Sequence, residues 1–267
     1  MSKSAWLQSL RTNGFCVIDN VVPADRLDAI RASVVAAVDR ECGNYPSPPG
    51  VDFVPSLINH DQSFAPYLAA PRLLEFVRSL LGEHVRISFT SAIINQPGNA
   101  RGKWHADWPF NQNNAGHVLA PYGDALFHLT TLWMLSPFDA DNGGTLVVPG
   151  SHRVSTNPTD PACGVDAEAP HPQEINVAGA AGSVLVFDSR LWHTTAPNRS
   201  AAPRVALAVR YAPWWLNLEV LRPESDLRQQ MVTESGGSEN LVPSLEPAVF
   251  AELPEEVRPL YRHWVKR

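Results

Sequence analysis

Cysteine is scarce and unpatterned: Cys16, Cys42 and Cys163 are odd in number, lie far apart and include no Cys-x-x-Cys pair. A disulfide framework and a thiolate zinc site are therefore not expected, and a reducing cytoplasm fits the composition best. Long apolar runs are also lacking. No stretch approaches the roughly 18 uninterrupted apolar residues of a membrane span, and the first residues have neither a basic start nor an apolar leader, so no membrane segment or secretion signal is expected. Basic clusters are missing too. Lys and Arg number 21 against 27 Asp and Glu, for a net charge of -6, and they are scattered. A phosphate-backbone footprint needs clustered positive charge, which excludes nucleic acid as an expected partner. Repeats, low-complexity tracts and linkers are not found, so residues 1–267 read as one domain.

Proline and glycine, by contrast, are plentiful, at 24 and 16 of 267 residues. They recur between short apolar runs, where they would break regular helices but suit a loop-rich β protein. Residues 4–12 read as a short helix, and Phe15-Cys16-Val17-Ile18 after Gly14 reads as a buried strand. Pro23 opens an amphipathic helix to about Arg40, with Leu27, Ile30, Val34, Ala37 and Val38 on one face. The stretch from Asn44 to Pro66 has no sustained period and reads as a long surface loop. Another helix spans Pro71 to Leu81, with Pro71 in its first turn and Gly82 beyond its end. Short strands follow over 85–95, 126–135, 145–148, 183–187 and 205–211. Helices are expected near 223–231 and over the last fifteen residues. Helices first and many short strands afterwards imply a mainly β (α+β) fold, with a double-stranded β-helix (jelly roll, cupin-like) core and flanking N-terminal helices.

Chemistry concentrates in two segments. His105 and Asp107 stand at i and i+2, which on a strand puts both side chains on one face, where they can share a metal ion. Nearly ninety residues later an apolar strand leads to His193. Two imidazoles and a carboxylate on one face of an octahedral metal leave three positions open, the facial arrangement of non-haem iron(II) oxygenases. No thiolate stands nearby to suggest a structural zinc or an iron–sulfur centre. Arg204 begins the strand Arg204-Val205-Ala206-Leu207-Ala208-Val209-Arg210. Turned inward, its guanidinium offers a fork for a carboxylate and demands an anion; turned outward, it is a surface arginine at a strand start.

Together these residues resemble the phytanoyl-CoA dioxygenase-like branch of the iron(II)/2-oxoglutarate oxygenases. The resemblance runs over most of the chain: Asn13 to Ile18 with the helix that follows, His105-Ala106-Asp107, Asn142-Gly143-Gly144-Thr145 through Pro149-Gly150-Ser151-His152, and His193 with Arg204 eleven residues later. It implies that His105, Asp107 and His193 hold iron(II). It also implies that Arg204 binds the far carboxylate of 2-oxoglutarate with help from Thr195, and that Thr90 adds a co-substrate contact. The implied reaction consumes 2-oxoglutarate and O2, releases succinate and CO2, and hydroxylates a small-molecule substrate, desaturation and ring formation being its relatives. Related halogenases replace the metal carboxylate by a small residue, whereas Asp107 is intact. The lack of a basic cluster favours a small free metabolite over a coenzyme A ester.

Two rival readings are a cupin-like metalloenzyme that does not use 2-oxoglutarate and a jelly-roll protein that binds metal without turnover. Turn chemistry accounts for His152 without a metal. Trp104, Trp108, Phe110 and Trp133 line either the substrate pocket or the core. His117, His128 and Asn111 to Asn114 read as a solvated loop or a lid, and Trp214-Trp215 caps either core or pocket. Oligomeric state is not legible in the sequence.

Overall fold

The first helix, α1 (Lys3–Asn13), starts where the Ser2 hydroxyl accepts the Ala5 amide and ends at Gly14, whose φ is 88°. A Cβ at Gly14 would lie 2.6 Å from His152 Nδ1, so both the left-handed turn and the close approach require glycine. In this computed structural model residues 2–107, 123–236 and 240–266 are described. From Gly14 the chain enters β1 (Phe15–Ile18), then the long helix α2 (Ala24–Glu41). The residues α2 buries, Leu27, Ile30, Val34, Ala37 and Val38, form the face expected from their spacing.

The segment expected to be a loop holds more structure than its composition suggested. It contains β2 (Val51–Pro55) and the short helix α3 (Ala65–Leu68), before α4 (Pro71–Leu81). β2 pairs only with β3 (Arg86–Asn95) and ends its sheet, and an edge strand tolerates the Asp52 and Pro55 that disguised it. The remaining strands are β4 (Leu129–Met134), β5 (Thr145–Val147), β6 (Ile175–Val177), β7 (Val184–Asp188), β8 (His193–Thr195) and β9 (Arg204–Ala212). These strands pair antiparallel throughout. A six-stranded sheet runs β1-β7-β4-β9-β3-β2, and a three-stranded sheet runs β6-β5-β8. β6 and β8, three residues each, are too short to show a period of their own.

The large sheet separates two cores. On one face Val205, Leu207, Val209 and Tyr211 of β9 pack with the helices. On the other, Ala206 and Ala208 join Leu132, Leu185, Phe187 and Val147 between the sheets. Trp104 and Trp133 are buried structural residues: Trp104 Nε1 donates to the Ala169 carbonyl and Trp133 Nε1 to Thr131 Oγ1. Beyond β9 the expected helix over 223–231 shrinks to Asp226–Arg228 plus a π-helical turn, Gln229–Thr233. The helix expected over the last fifteen residues is reduced to the single turn Arg258–Tyr261 followed by a 3-10 turn, Arg262–Trp264, and a separate short helix, Pro247–Glu252, precedes it. Among the described residues no helix is long and apolar enough to cross a membrane.

Candidate metal centre

His105 and His193 meet as neighbours across an antiparallel bridge. Each donates its backbone amide to the other's carbonyl, at 3.1 and 2.9 Å, and their ring centroids lie 4.2 Å apart. His193 opens β8, whereas His105 lies in an otherwise irregular segment held by this bridge and by the Gly102 and Trp104 amides, which donate to the Thr195 and Ala167 carbonyls. Asp107, two residues on, is fixed by its amide, which donates to the Ser189 carbonyl at 2.8 Å. One ligand atom from each of His105, Asp107 and His193 lies within 4.8 Å of the others, so the donor set suits a single ion.

The imidazole tautomers follow from the backbone. Nδ1 of His105 contacts the Lys103 carbonyl and Nδ1 of His193 the Leu191 carbonyl, both at 2.9 Å. A carbonyl only accepts, so each Nδ1 carries the proton and each Nε2 keeps its lone pair for a ligand. Burial, reinforced by the neighbouring His105, pulls the His193 imidazole down to about 4, which keeps it neutral at physiological pH.

Asp107 remains ionised for a different reason. Burial pushes its carboxyl upward, but Arg210 foremost, then His193, His105 and the Thr130 hydroxyl, together hold it well below the usual carboxylate range. Arg210 Nη2 donates to Oδ1 at 2.6 Å, and Thr130 Oγ1 donates to Oδ2 at 2.8 Å. Thr130 also meets Ser189 Oγ at 2.8 Å, and Ser189 meets His128 Nδ1 at 2.7 Å. His128 is therefore no rim residue. It is 3% exposed, spans Ser189 and Ser88, and is pulled down to about 3 by burial and then by Arg210.

The three ligand candidates open into a cavity of about 110 Å³ lined also by Ile93, Leu132, Thr145, Thr195, Ala208 and both Arg204 and Arg210. Arg204 turns inward: it is 2% exposed, its guanidinium lies 4.7 Å from the Phe138 ring centre, and its Nε donates to the Gly143 carbonyl at 2.9 Å. No acid partners it among the described residues, and burial alone pulls it down to about 9. Thr195 lines the same cavity.

Thr90 does not reach it. In β3 it shares the helix-side face with Ala92 and Ile94, opposite Val209, and its hydroxyl meets Tyr261 Oη at 2.6 Å. The expected co-substrate contact is corrected by strand alternation: Ile93, three positions on, faces the cavity instead. His152 is structural, with Nε2 3.3 Å from the Arg11 carbonyl. Trp214 and Trp215 are exposed by 62% and 52%, and Trp215 meets edge-on the ring of Phe127, a half-buried residue packed against the core, at 5.9 Å between centroids. Trp108, Phe110, Asn111 to Asn114 and His117 lie outside the described residues.

Sequence reasoning missed Arg210, Thr130 and the Ser189–His128 extension. Arg210 had a readable signal, since it stands six residues from Arg204 on one strand and alternation puts both on one face. Thr130 and His128 had none, because their partners come from distant strands.

Residues 10–206 match the family model described as phytanoyl-CoA dioxygenase (PhyH). The chain belongs to the phytanoyl-CoA dioxygenase family. It is thus a 2-oxoglutarate-dependent non-haem iron oxygenase by family. The peroxisomal phytanoyl-CoA dioxygenase of Rattus norvegicus is 24% identical over 228 residues, spanning 74% of this chain and 65% of the rat protein. Among solved structures, HygX from Streptomyces hygroscopicus, with nickel and 2-oxoglutarate bound, aligns at TM-score 0.63 and 20% identity, over 79% of this chain and 87% of that one. The alpha-ketoglutarate-dependent carbocyclase SnoK from nogalamycin biosynthesis aligns at TM-score 0.63 and 20% identity, over 80% of this chain and 84% of its own. These likenesses show that this member of the phytanoyl-CoA dioxygenase family has the double-stranded β-helix fold.

Proposed function

We propose that this oxygenase hydroxylates an unactivated C–H bond of a small metabolite, with His105, Asp107 and His193 holding iron(II) and Arg204 and Thr195 holding the far carboxylate of 2-oxoglutarate. The observation that carries this reading is Arg204, a buried guanidinium that has no acid partner among the described residues and faces the same cavity as the three ligand residues. An isolated buried charge costs several kcal/mol, and an incoming carboxylate would relieve that cost.

Bound at the three residues, iron(II) would activate oxygen and couple decarboxylation of 2-oxoglutarate to substrate oxidation. The chain's own groups do the positioning. The Lys103 and Leu191 carbonyls hold both imidazoles with Nε2 presented, and Arg210 with Thr130 keeps Asp107 ionised and oriented. Arg204 and Thr195 would fix one end of the co-substrate, and Ile93, Leu132 and Ala208 provide apolar walls that exclude water from it. Asp107 fills the position that a halide would need.

The test is succinate release by the purified protein given iron(II), 2-oxoglutarate and oxygen, with a panel of small metabolites read by mass spectrometry. A substrate-stimulated product heavier by one oxygen supports the reading. A product that has lost two hydrogens, with no oxygen gained, would replace hydroxylation by desaturation or ring closure. The absence of any succinate would refute the 2-oxoglutarate role given to Arg204.

A further inference from the structure

Asp107 has two carboxylate oxygens, and its neighbours divide them. Oδ2 lies 3.7 Å from His193 Nε2 and accepts the Thr130 hydroxyl at 2.8 Å. Oδ1 accepts Arg210 Nη2 at 2.6 Å. Arg210 is itself held firmly. On β9 it stands between Phe89 of β3 and Thr130 of β4, and its guanidinium lies 4.6 Å from the Phe89 ring centre. A planar guanidinium pinned by a ring on one side and a carboxylate on the other has little freedom to release its oxygen.

We propose that Arg210 is a positioning residue that occupies one oxygen of Asp107, confining the carboxylate to one-oxygen ligation and so reserving a coordination position for the co-substrate. The inference rests on the reading of His105, Asp107 and His193 as metal ligands. Carboxylates bind metals through one oxygen or through both. With three protein ligands on an octahedral ion, three positions remain for a chelating co-substrate and oxygen, and a two-oxygen Asp107 would take one of them. Neutralising Asp107 is a different role with a different consequence. If Arg210 served only to balance charge, removing it would change metal affinity and leave co-substrate binding alone.

The experiment uses the full chain, freed of metal and titrated with cobalt(II), comparing the parent with Arg210→Met and Arg210→Lys by calorimetry and by the visible spectrum of the bound ion, without and then with 2-oxoglutarate. Arg210→Met is expected to keep its cobalt, to show a spectrum altered from the parent's, and to bind 2-oxoglutarate about tenfold or more weakly, the range typical of groups that orient metal ligands. Arg210→Lys, which retains a charge and a donor for Oδ1, is expected to recover most of that loss. An unaltered spectrum with unchanged 2-oxoglutarate affinity in Arg210→Met would overturn the proposal. So would a folded Arg210→Met protein that no longer holds cobalt, because Arg210 would then build the ligand rather than restrain it, and so would a lysine variant as weak as the methionine one. Should Arg210→Met fail to fold by circular dichroism, Arg210→Leu is read by the same criteria. A parent that binds no cobalt, or whose binding survives His193→Ala, would instead sink the assignment of the metal ligands, and that failure shows in the parent and in His193→Ala.

Discussion

Arg204 and Arg210 stand six residues apart on the same face of β9, line the same cavity, and have opposite neighbours. Arg210 is joined to Asp107 at 2.6 Å, whereas Arg204, among the described residues, has a bond to a backbone carbonyl and no acid. Residue type and burial alone do not set a role; the partner does. A paired guanidinium belongs to the scaffold, because its charge is spent inside the protein. An unpaired one is a standing electrostatic cost, and such a cost makes sense where a ligand removes it.

The largest effect should come from breaking the paired side. Asp107→Ala is expected to abolish iron retention and turnover with the fold retained. It also leaves Arg210 without its acid, which should lower the stability of the metal-free protein by about 3 kcal/mol in urea denaturation. An Asp107→Ala protein that stays fully active would refute the metal assignment.

Breaking the unpaired side should act in the other direction on stability. Arg204→Met removes a buried charge and one hydrogen bond, so the protein without co-substrate should unfold at the same temperature as the parent or higher. The affinity for 2-oxoglutarate should fall by about 100-fold, as expected for about 2–3 kcal/mol of charge-assisted hydrogen bonding. Conversely, saturating 2-oxoglutarate should raise the melting temperature of the parent and barely move that of Arg204→Met. A destabilised Arg204→Met protein whose co-substrate affinity is intact would make Arg204 a structural residue.

The contrast between the arginines also marks how far the sequence could be read. Helices α1, α2 and α4 were visible because each repeats its apolar residues at helical spacing, and the long strands β3, β4 and β9 because they are β-branched runs between turns. β2, β6 and β8 were not, since an edge strand with Asp52 and Pro55 and strands of three residues carry no period. At the site, His105, Asp107, His193, Arg204 and Thr195 were legible by spacing and resemblance, and the structure brings all five to one cavity. Thr90 lies on the face of β3 opposite to Ile93, bonded to Tyr261, and which face a strand residue takes was not legible without the register. The partners of Asp107 come from β4 and β9, so the reason its carboxylate stays ionised exists only after folding.

The smallest predicted effects separate the helpers of the two arginines. Thr195 lines the cavity beside Arg204, and Thr130 supports Asp107 through a 2.8 Å bond. Thr195→Val removes one hydroxyl with the shape kept and is expected to raise the KM for 2-oxoglutarate by about 10-fold, the value of about 1.5 kcal/mol for one hydrogen bond to a charged group, with metal retention unchanged. Thr130→Val should do the reverse: weaken metal retention by about 10-fold, since it orients a ligand, and leave the KM for 2-oxoglutarate near the parent's once iron is saturating. Steady-state kinetics at two iron concentrations distinguishes the two. If Thr195→Val weakened metal retention and Thr130→Val raised the co-substrate KM, the division of this cavity into a ligand-receiving end at Arg204 and a metal-orienting end at Arg210 would be wrong, because each hydroxyl would be serving the other end's charge.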